Sequence, residues 1–241
     1  MVDFRNFLKL KNILSRLNPI PSFRFGDKDE SIRKPPSQEE LLESVIKKYS
    51  QFKRIILVSI YHLINTQNVE KEYLTVLTKD LRLIADLVKG ERDKVSVPEN
   101  VKAESKKGNV LVICHNHFHG AVIFSLNDFK NVLCSKIKFS VIVSMGNIGI
   151  LVNEFSSFDD KSLKSLKIEL KDYIGYVMFT FIINNDEAIE KLDNSNLDDE
   201  IYSIEYQNLF DRFIAKNNMK FIDEFNLRMK KYNLYYLYIN L

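Results

Sequence analysis

The chain has 241 residues, of which 45% are hydrophobic and 28% charged, a balance that suits a folded globular protein and excludes a disordered one. The formal net charge is +3 and the two signs are interspersed, so charge alone does not indicate a nucleic-acid partner. No signal peptide is recognisable and no apolar run approaches the ~20 residues that span a bilayer. We therefore expect a soluble, cytoplasmic protein. Its two cysteines, Cys114 and Cys134, are predicted to be reduced, buried thiols.

Residues 1–36 are predicted to form an amphipathic helix followed by a linker. Apolar and basic residues recur near helical spacing over residues 1–18, and four of the chain's five prolines lie between residues 19 and 36. A basic amphipathic helix can lie on a membrane or on a partner. We favour the alternative that it packs on its own domain.

Residues 37–69 are predicted to be helical. Ser37 and Glu40 have the spacing of a capping box, and the apolar periodicity that follows continues to Tyr49. A second apolar segment, residues 52–64, continues the helical region. It contains His62, which we interpret as a structural residue because it stands alone.

The periodicity changes to that of strands near residue 70. An alternating, β-branched and aromatic run over residues 73–77 predicts one strand, and Lys79-Asp80 turns the chain into a second over residues 81–88. Pro98 then begins a predicted helix that Gly108 ends. With the apolar strand that follows, this order indicates an α/β fold.

Three of the four histidines lie within five residues, directly after the apolar strand 110–113. Side chains alternate along a strand, so His115 and His117 are predicted to share one face, where two imidazoles can hold one divalent ion. Asp128 follows on the next predicted helical turn and completes a metal site in outline. The alternative is a merely polar loop. Cys114 falls on the opposite face and is not expected to be a ligand.

The remaining elements complete the predicted sheet and add helices. Ser125 or Asn127 is expected to cap the helix that carries Asp128, and strands are predicted over residues 141–143 and 148–152. Beyond residue 156 we predict two amphipathic helices separated by an acidic, solvated connector over residues 184–205. The aromatic run 235–239 is predicted to be a terminal strand on a sheet edge.

The histidine segment carries a resemblance to a known family. The pattern His115-x-His117-x7-Ser125-x-x-Asp128 resembles the signature of JAMM/MPN (JAB) metalloproteases, especially the RadC-like branch, whose motif begins His-Asn-His. Residues 72–98 resemble the strands that precede this motif, and residues 139–147 resemble the strand and turn that follow it. Phe118 stands where the family usually has proline, and the segment between Asp128 and the next strand is short.

The resemblance implies zinc held by His115, His117 and Asp128. Glu72, which matches the glutamate that opens the first strand, would be the general base, and Ser125 would bind the oxyanion. Glu70 is the alternative candidate for the general base, because it falls on the same strand face as Glu72.

The resemblance also implies hydrolysis of a peptide or isopeptide bond, often one that joins a ubiquitin-like protein to lysine. His119 has no counterpart in the signature. It could contact the metal-binding side chains without binding the metal itself, bind substrate, or simply be exposed.

These inferences predict an α/β protein with a JAMM/MPN-like mixed sheet, flanking helices and helical ends. The predicted divisions are residues 1–36, 37–69, 70–155 for the metalloprotease core, and 156–241. The alternative function is a non-catalytic scaffold of the same fold, or a DNA-associated module of a mobile element.

Overall fold

The structure, a computed structural model, describes residues 37–66, 71–91, 95–125, 128–129, 132, 137–155 and 159–240. The helices within them are α1 (Gln38–Lys48), α2 (Phe52–Thr66), α3 (Glu99–Lys106), α4 (Asp160–Asn184), α5 (Asp186–Asp193) and α6 (Asp199–Met229). The strands are β1 (Tyr73–Thr78), β2 (Leu83–Lys89), β3 (Val110–Asn116), β4 (Phe139–Ser144), β5 (Asn147–Asn153) and β6 (Leu234–Asn240). The helix and linker predicted over residues 1–36, and Cys134, lie outside the described residues.

The six strands form one mixed sheet, which confirms the predicted α/β class. Their order is β2-β1-β3-β4-β5-β6, and every neighbouring pair is antiparallel except β3 and β4. Parallel neighbours need a long crossover between them. Here that crossover is residues 117–138, the segment that contains Asp128.

Helices cover both faces of the central strands. On β4, Val141 and Val143 pack in the cluster that contains α1 and α2, whereas Ile142 packs in the cluster that contains α4 and α6. Strands buried on both faces read as continuous apolar runs rather than alternating ones. This is why apolar residues run without alternation over residues 110–114 of β3 and 141–143 of β4.

Several local predictions are confirmed. Ser37 and Glu40 form a reciprocal capping box at α1, the predicted helix 52–64 is α2, and Gly108 follows α3 with a φ of +69°. The aromatic run near the C-terminus is β6, at the edge of the sheet. The Gln38 side chain covers that edge by hydrogen-bonding the backbone of β6.

The acidic connector predicted over residues 184–205 is wrong. This segment contains α5 and the start of α6, and Ile189 of α5 is buried in a cluster with Phe181 and Tyr206. Four of its acidic residues fall in first helical turns, where negative charge interacts favourably with the helix dipole: Asp186, Glu187, Asp199 and Glu200. None of the helices within the described residues has the length and apolar character to span a membrane.

The C-terminal helix α6 is tied to the sheet by a buried amide. The side chain of Asn226 donates to Tyr236 O at 2.9 Å and accepts from Tyr236 N at 2.6 Å. Helix α6 therefore fixes β6 directly, and both elements also support the loop that follows β3, described below.

Asn226→Ala should lower the free energy of unfolding by about 1–3 kcal/mol, because it leaves the buried N–H of Tyr236 without a partner, while Tyr236 O keeps the longer hydrogen bond from Gln38 Nε2 at 3.3 Å. Leu227→Ala is the matched control, since Leu227 is next in the same helix and 46% exposed; it should change stability by less than about 1 kcal/mol. Urea unfolding of both variants measures the difference. Equal stability of the two would contradict this account of Asn226.

Candidate metal centre

The two predicted histidine ligands lie together at the end of β3. His115 is the penultimate residue of that strand, and the backbone of His117 donates to Val143 O at 2.9 Å, which continues the parallel ladder with β4. Their Nε2 atoms are 3.2 Å apart. The prediction that both imidazoles leave the strand on one face is confirmed. The His115 ring also contacts the edge of Phe124, on the face of the sheet that α6 covers.

Asp128 returns to these histidines in a helical segment that Ser125 caps. The backbone N–H and the hydroxyl of Ser125 donate to Asp128 Oδ2 at 2.8 and 2.7 Å, and Ser125 Oγ accepts from Asp128 N at 3.2 Å. The predicted capping role of Ser125 is confirmed. Because Oδ2 is occupied, Oδ1 is the oxygen presented to the histidines, 3.6 Å from His115 Nε2.

The three side chains are close enough to bind one metal ion. One ligand atom from each of His115, His117 and Asp128 lies within 4.8 Å of the others, and no other group of His, Cys, Asp and Glu among the described residues has this arrangement. A tetrahedral zinc with bonds of about 2.0–2.1 Å separates two ligand atoms by about 3.3–3.4 Å. The observed separations of 3.2 and 3.6 Å are close to that spacing, and the third, between His117 and Asp128, is within 4.8 Å.

The charge state of the group suits a divalent cation. Burial lowers the pKa of His115, and burial together with the charge of His115 lowers the pKa of His117 to about 4. Both imidazoles are therefore neutral at pH 7, with lone pairs available. Burial alone would raise the pKa of Asp128, but the two histidines and the Ser125 hydrogen bonds outweigh it and leave that pKa low. Asp128 is a carboxylate at neutral pH.

Glu72 lies beside the histidines, at the start of β1. Its Oε1 is 4.0 Å from His117 Nε2. The Glu72 backbone pairs with the β2 side of the sheet, through Glu72 N to Glu91 O and Gly90 N to Glu72 O, both at 2.8 Å. The structure thus brings the predicted base to the predicted ligands. Glu70, the alternative candidate for the general base, lies outside the described residues.

His119 points to another part of the molecule. It has a φ of +54°, and its Nε2 is 2.9 Å from Asn208 Oδ1 on α6. Gly120 follows with a φ of +82°, and a Cβ there would lie 3.3 Å from the Ala215 side chain of the same helix. The turn after the second histidine, which Phe118 begins, is therefore packed closely on α6. The predicted roles of His119 in substrate binding or ligand contact stay predictions.

Sequence reasoning missed the residues that hold this loop. Gly120 O accepts from Asn218 Nδ2 at 2.9 Å, Val122 N donates to Asn218 Oδ1 at 3.3 Å, and Gly120 N donates to Ser144 Oγ at 2.8 Å. The hydroxyl of Tyr236 donates to Val122 O. The available signal was an asparagine in the apolar stripe of α6, since a buried amide needs partners. The C-terminal region therefore supports the site.

His62 and Cys114 lie on the opposite side of the sheet from the His-His-Asp group. His62 is buried in α2, and its Nδ1 is 2.8 Å from Thr75 Oγ1. Burial, with a smaller effect of the His115 charge, lowers the His62 pKa to about 4. Cys114 is buried and its thiol pKa is raised by burial. The structural interpretation of His62 and the predicted burial of Cys114 are confirmed.

The fold and the site together define a mixed α/β protein with a His-His-Asp group close enough to bind a metal and a glutamate beside it. In comparisons with protein-family models, curated proteins and solved structures, nothing matches this chain.

The buried His62 should make the metal-free protein acid-sensitive. In the unfolded state His62 binds a proton near pH 6.5, whereas in the folded state it does so only near pH 4. The contribution of His62 to stability is therefore greatest above pH 6.5 and falls as the pH is lowered through this window. His62 contributes up to about 3 kcal/mol to that fall. Urea unfolding with EDTA from pH 7 to pH 4 should show the stability difference between wild type and His62→Gln shrinking by this amount. Parallel pH curves for the two proteins would exclude this role.

Proposed function

We propose that the chain is a zinc-dependent peptidase or isopeptidase of the JAMM/MPN type, similar to its RadC-like branch. One observation carries the proposal: three ligand atoms lie within 4.8 Å of one another, with the Glu72 carboxylate 4.0 Å from one of them. Glu72 and Asp128 are distant in sequence from one another. The three ligands belong to the family signature, and Glu72 matches the glutamate of the strand that precedes it. The strand and helix order over residues 70–155 is also compatible with the proposed fold.

The ligand set favours a catalytic ion over a structural one. Structural zinc sites usually have four protein ligands, whereas catalytic sites have three and leave a position for water or substrate. The set here is His115, His117 and Asp128. The hydrogen bonds from Ser125 orient the carboxylate of Asp128, as outer partners of metal ligands generally do.

When bound, zinc acts as a Lewis acid that lowers the pKa of a water molecule to about 7 and polarises the scissile carbonyl. Glu72 then accepts a proton from the attacking water and delivers it to the leaving amine. Its position beside His117, rather than among the three ligands, suits this exchange.

Ser125 has two roles in the proposal. Its hydroxyl orients Asp128 through the 2.7 Å hydrogen bond, and the family resemblance adds oxyanion binding by the same group. One hydroxyl has one proton, so donating to an oxyanion requires it to leave Asp128 Oδ2. The backbone N–H of Ser125 continues to hold that oxygen when the hydroxyl turns away.

The purified protein should bind about one zinc per chain. His117→Ala should lose it, because two ligands remain of three, and catalytic zinc sites use three. His119→Asn is the control: it removes a histidine two residues away, and asparagine tolerates the positive φ at that position. Metal analysis after dialysis gives the stoichiometry. Zinc-free wild type, or full retention by His117→Ala, would rule out this site.

Glu72→Gln should reduce peptidase activity by at least about 100-fold without loss of zinc, because it removes a proton acceptor but no ligand. Glu91→Gln is the matched control, an exposed glutamate whose backbone pairs with Glu72. Cleavage is measured by mass spectrometry on a peptide library and on isopeptide-linked ubiquitin-like conjugates. A zinc-loaded wild type that cleaves neither class, but binds DNA in a salt-sensitive manner, would favour the non-catalytic module.

A further inference from the structure

Asn116, between the two histidines, forms a buried link to the strand that carries Glu72. It is 2% exposed. Strand alternation sends its side chain to the face opposite His115 and His117. There Asn116 Nδ2 donates to Lys71 O at 3.0 Å, and Asn116 Oδ1 accepts from Tyr73 N at 2.7 Å. The two hydrogen bonds are made to the residues immediately before and after Glu72.

This amide replaces backbone pairing that ends at this point of the sheet. The β1–β3 ladder begins at Leu74 and His115. The N–H of His117, the residue after β3, is donated to β4 rather than to β1. The backbone of Glu72 itself faces β2. The Asn116 side chain thus extends the connection between β3 and the backbone around Glu72 beyond the last paired residues of the ladder.

We propose that Asn116 is a positioning residue that fixes Glu72 relative to the metal ligands. This inference rests on the proposed function, in which Glu72 acts on the attacking water. Asn116 is bonded through its peptide groups to both histidines and through its side chain to both neighbours of Glu72. One residue therefore holds the backbone around Glu72 relative to the ligand pair, just beyond the end of the β1–β3 ladder.

The two hydrogen bonds from Asn116 to Lys71 and Tyr73, which we call the Asn116 clamp, require a side chain that both donates and accepts. Asparagine supplies an N–H for Lys71 O and an oxygen for Tyr73 N. Aspartate keeps the acceptor, but when ionised it has no donor, and it adds a negative charge near Glu72. Alanine removes both bonds. The variants therefore form a series in which the position of Glu72 becomes progressively less constrained.

The test uses the full chain loaded with Co²⁺ or Zn²⁺, and it has a readout besides activity. Asn116→Ala should retain about one metal per chain because it removes no ligand. It should shift the visible d–d bands of the cobalt protein in the same direction as Glu72→Gln. The double variant should show no further shift, because both changes act through the same carboxylate. With the zinc protein and any peptide cleaved by wild type, kcat should fall on the order of 100-fold with little change in KM.

Asn153→Ala is a matched control for the loss of a buried asparagine clamp. Asn153 is 5% exposed at the end of β5, and its amide likewise donates to one backbone carbonyl, Ile137 O, and accepts from one backbone N–H, that of Phe155, both at 3.1 Å. It lies at the other end of the sheet, where β5 pairs with the start of β4. This variant should lose stability without any change in the cobalt spectrum or in kcat.

The outcomes separate this inference from the function on which it rests. Wild type that binds neither metal overturns both. Wild type that binds cobalt, with a spectrum altered by Glu72→Gln but not by Asn116→Ala, overturns the role of Asn116 alone. If Asn116→Ala does not fold, Asn116→Asp replaces it, since it keeps the bond to Tyr73 N. An unaltered cobalt spectrum and an unaltered kcat in Asn116→Asp would then refute the proposal.

Discussion

The parallel pairing of β3 and β4 is the constraint on which the site depends. Parallel strands end at the same edge of a sheet, and the chain must cross over before the second strand begins. The histidines stand at the end of β3, and the crossover brings Asp128 back over that edge. An antiparallel hairpin at this point would have turned directly into the next strand. Asp128 would then have had no reason to lie beside the imidazoles.

The parts of the site that were predictable are those encoded over short sequence distances. Two-residue alternation in a strand was enough to place His115 and His117 on one face, and the capping pattern was enough to pair Ser125 with Asp128. Glu72 is different. It lies 43 residues before His115, and only the family resemblance pointed to it. The carboxylate's approach to His117 is a product of the β1–β3 register, which periodicity does not specify.

The residues that escaped prediction make long-range polar contacts. Asn218 and Gly120 are 98 residues apart, and the helical period of α6 indicates that Asn218 is buried but not which loop it meets. Asn116 escaped for a related reason, because alternation assigns it to the face away from the ligands and so apparently out of the site. The acidic stretch before α6 was mistaken for a connector because its charges were counted without their positions. Placed in first helical turns, the same charges favour helix.

Burial keeps the His-His-Asp group in a charge state that suits a cation, and it also makes that group energetically unfavourable without one. It keeps His115 and His117 unprotonated, yet it also places two imidazole lone pairs and the Asp128 carboxylate together in a region of low polarity. A divalent ion held by these three residues would offset the cost of burying them, and its binding would then be thermodynamically linked to folding. The clamps from α6, β6 and Asn116 then have a common physical purpose. They hold the polar cluster in place, and natural sequences accept such local conflict mainly where function requires it.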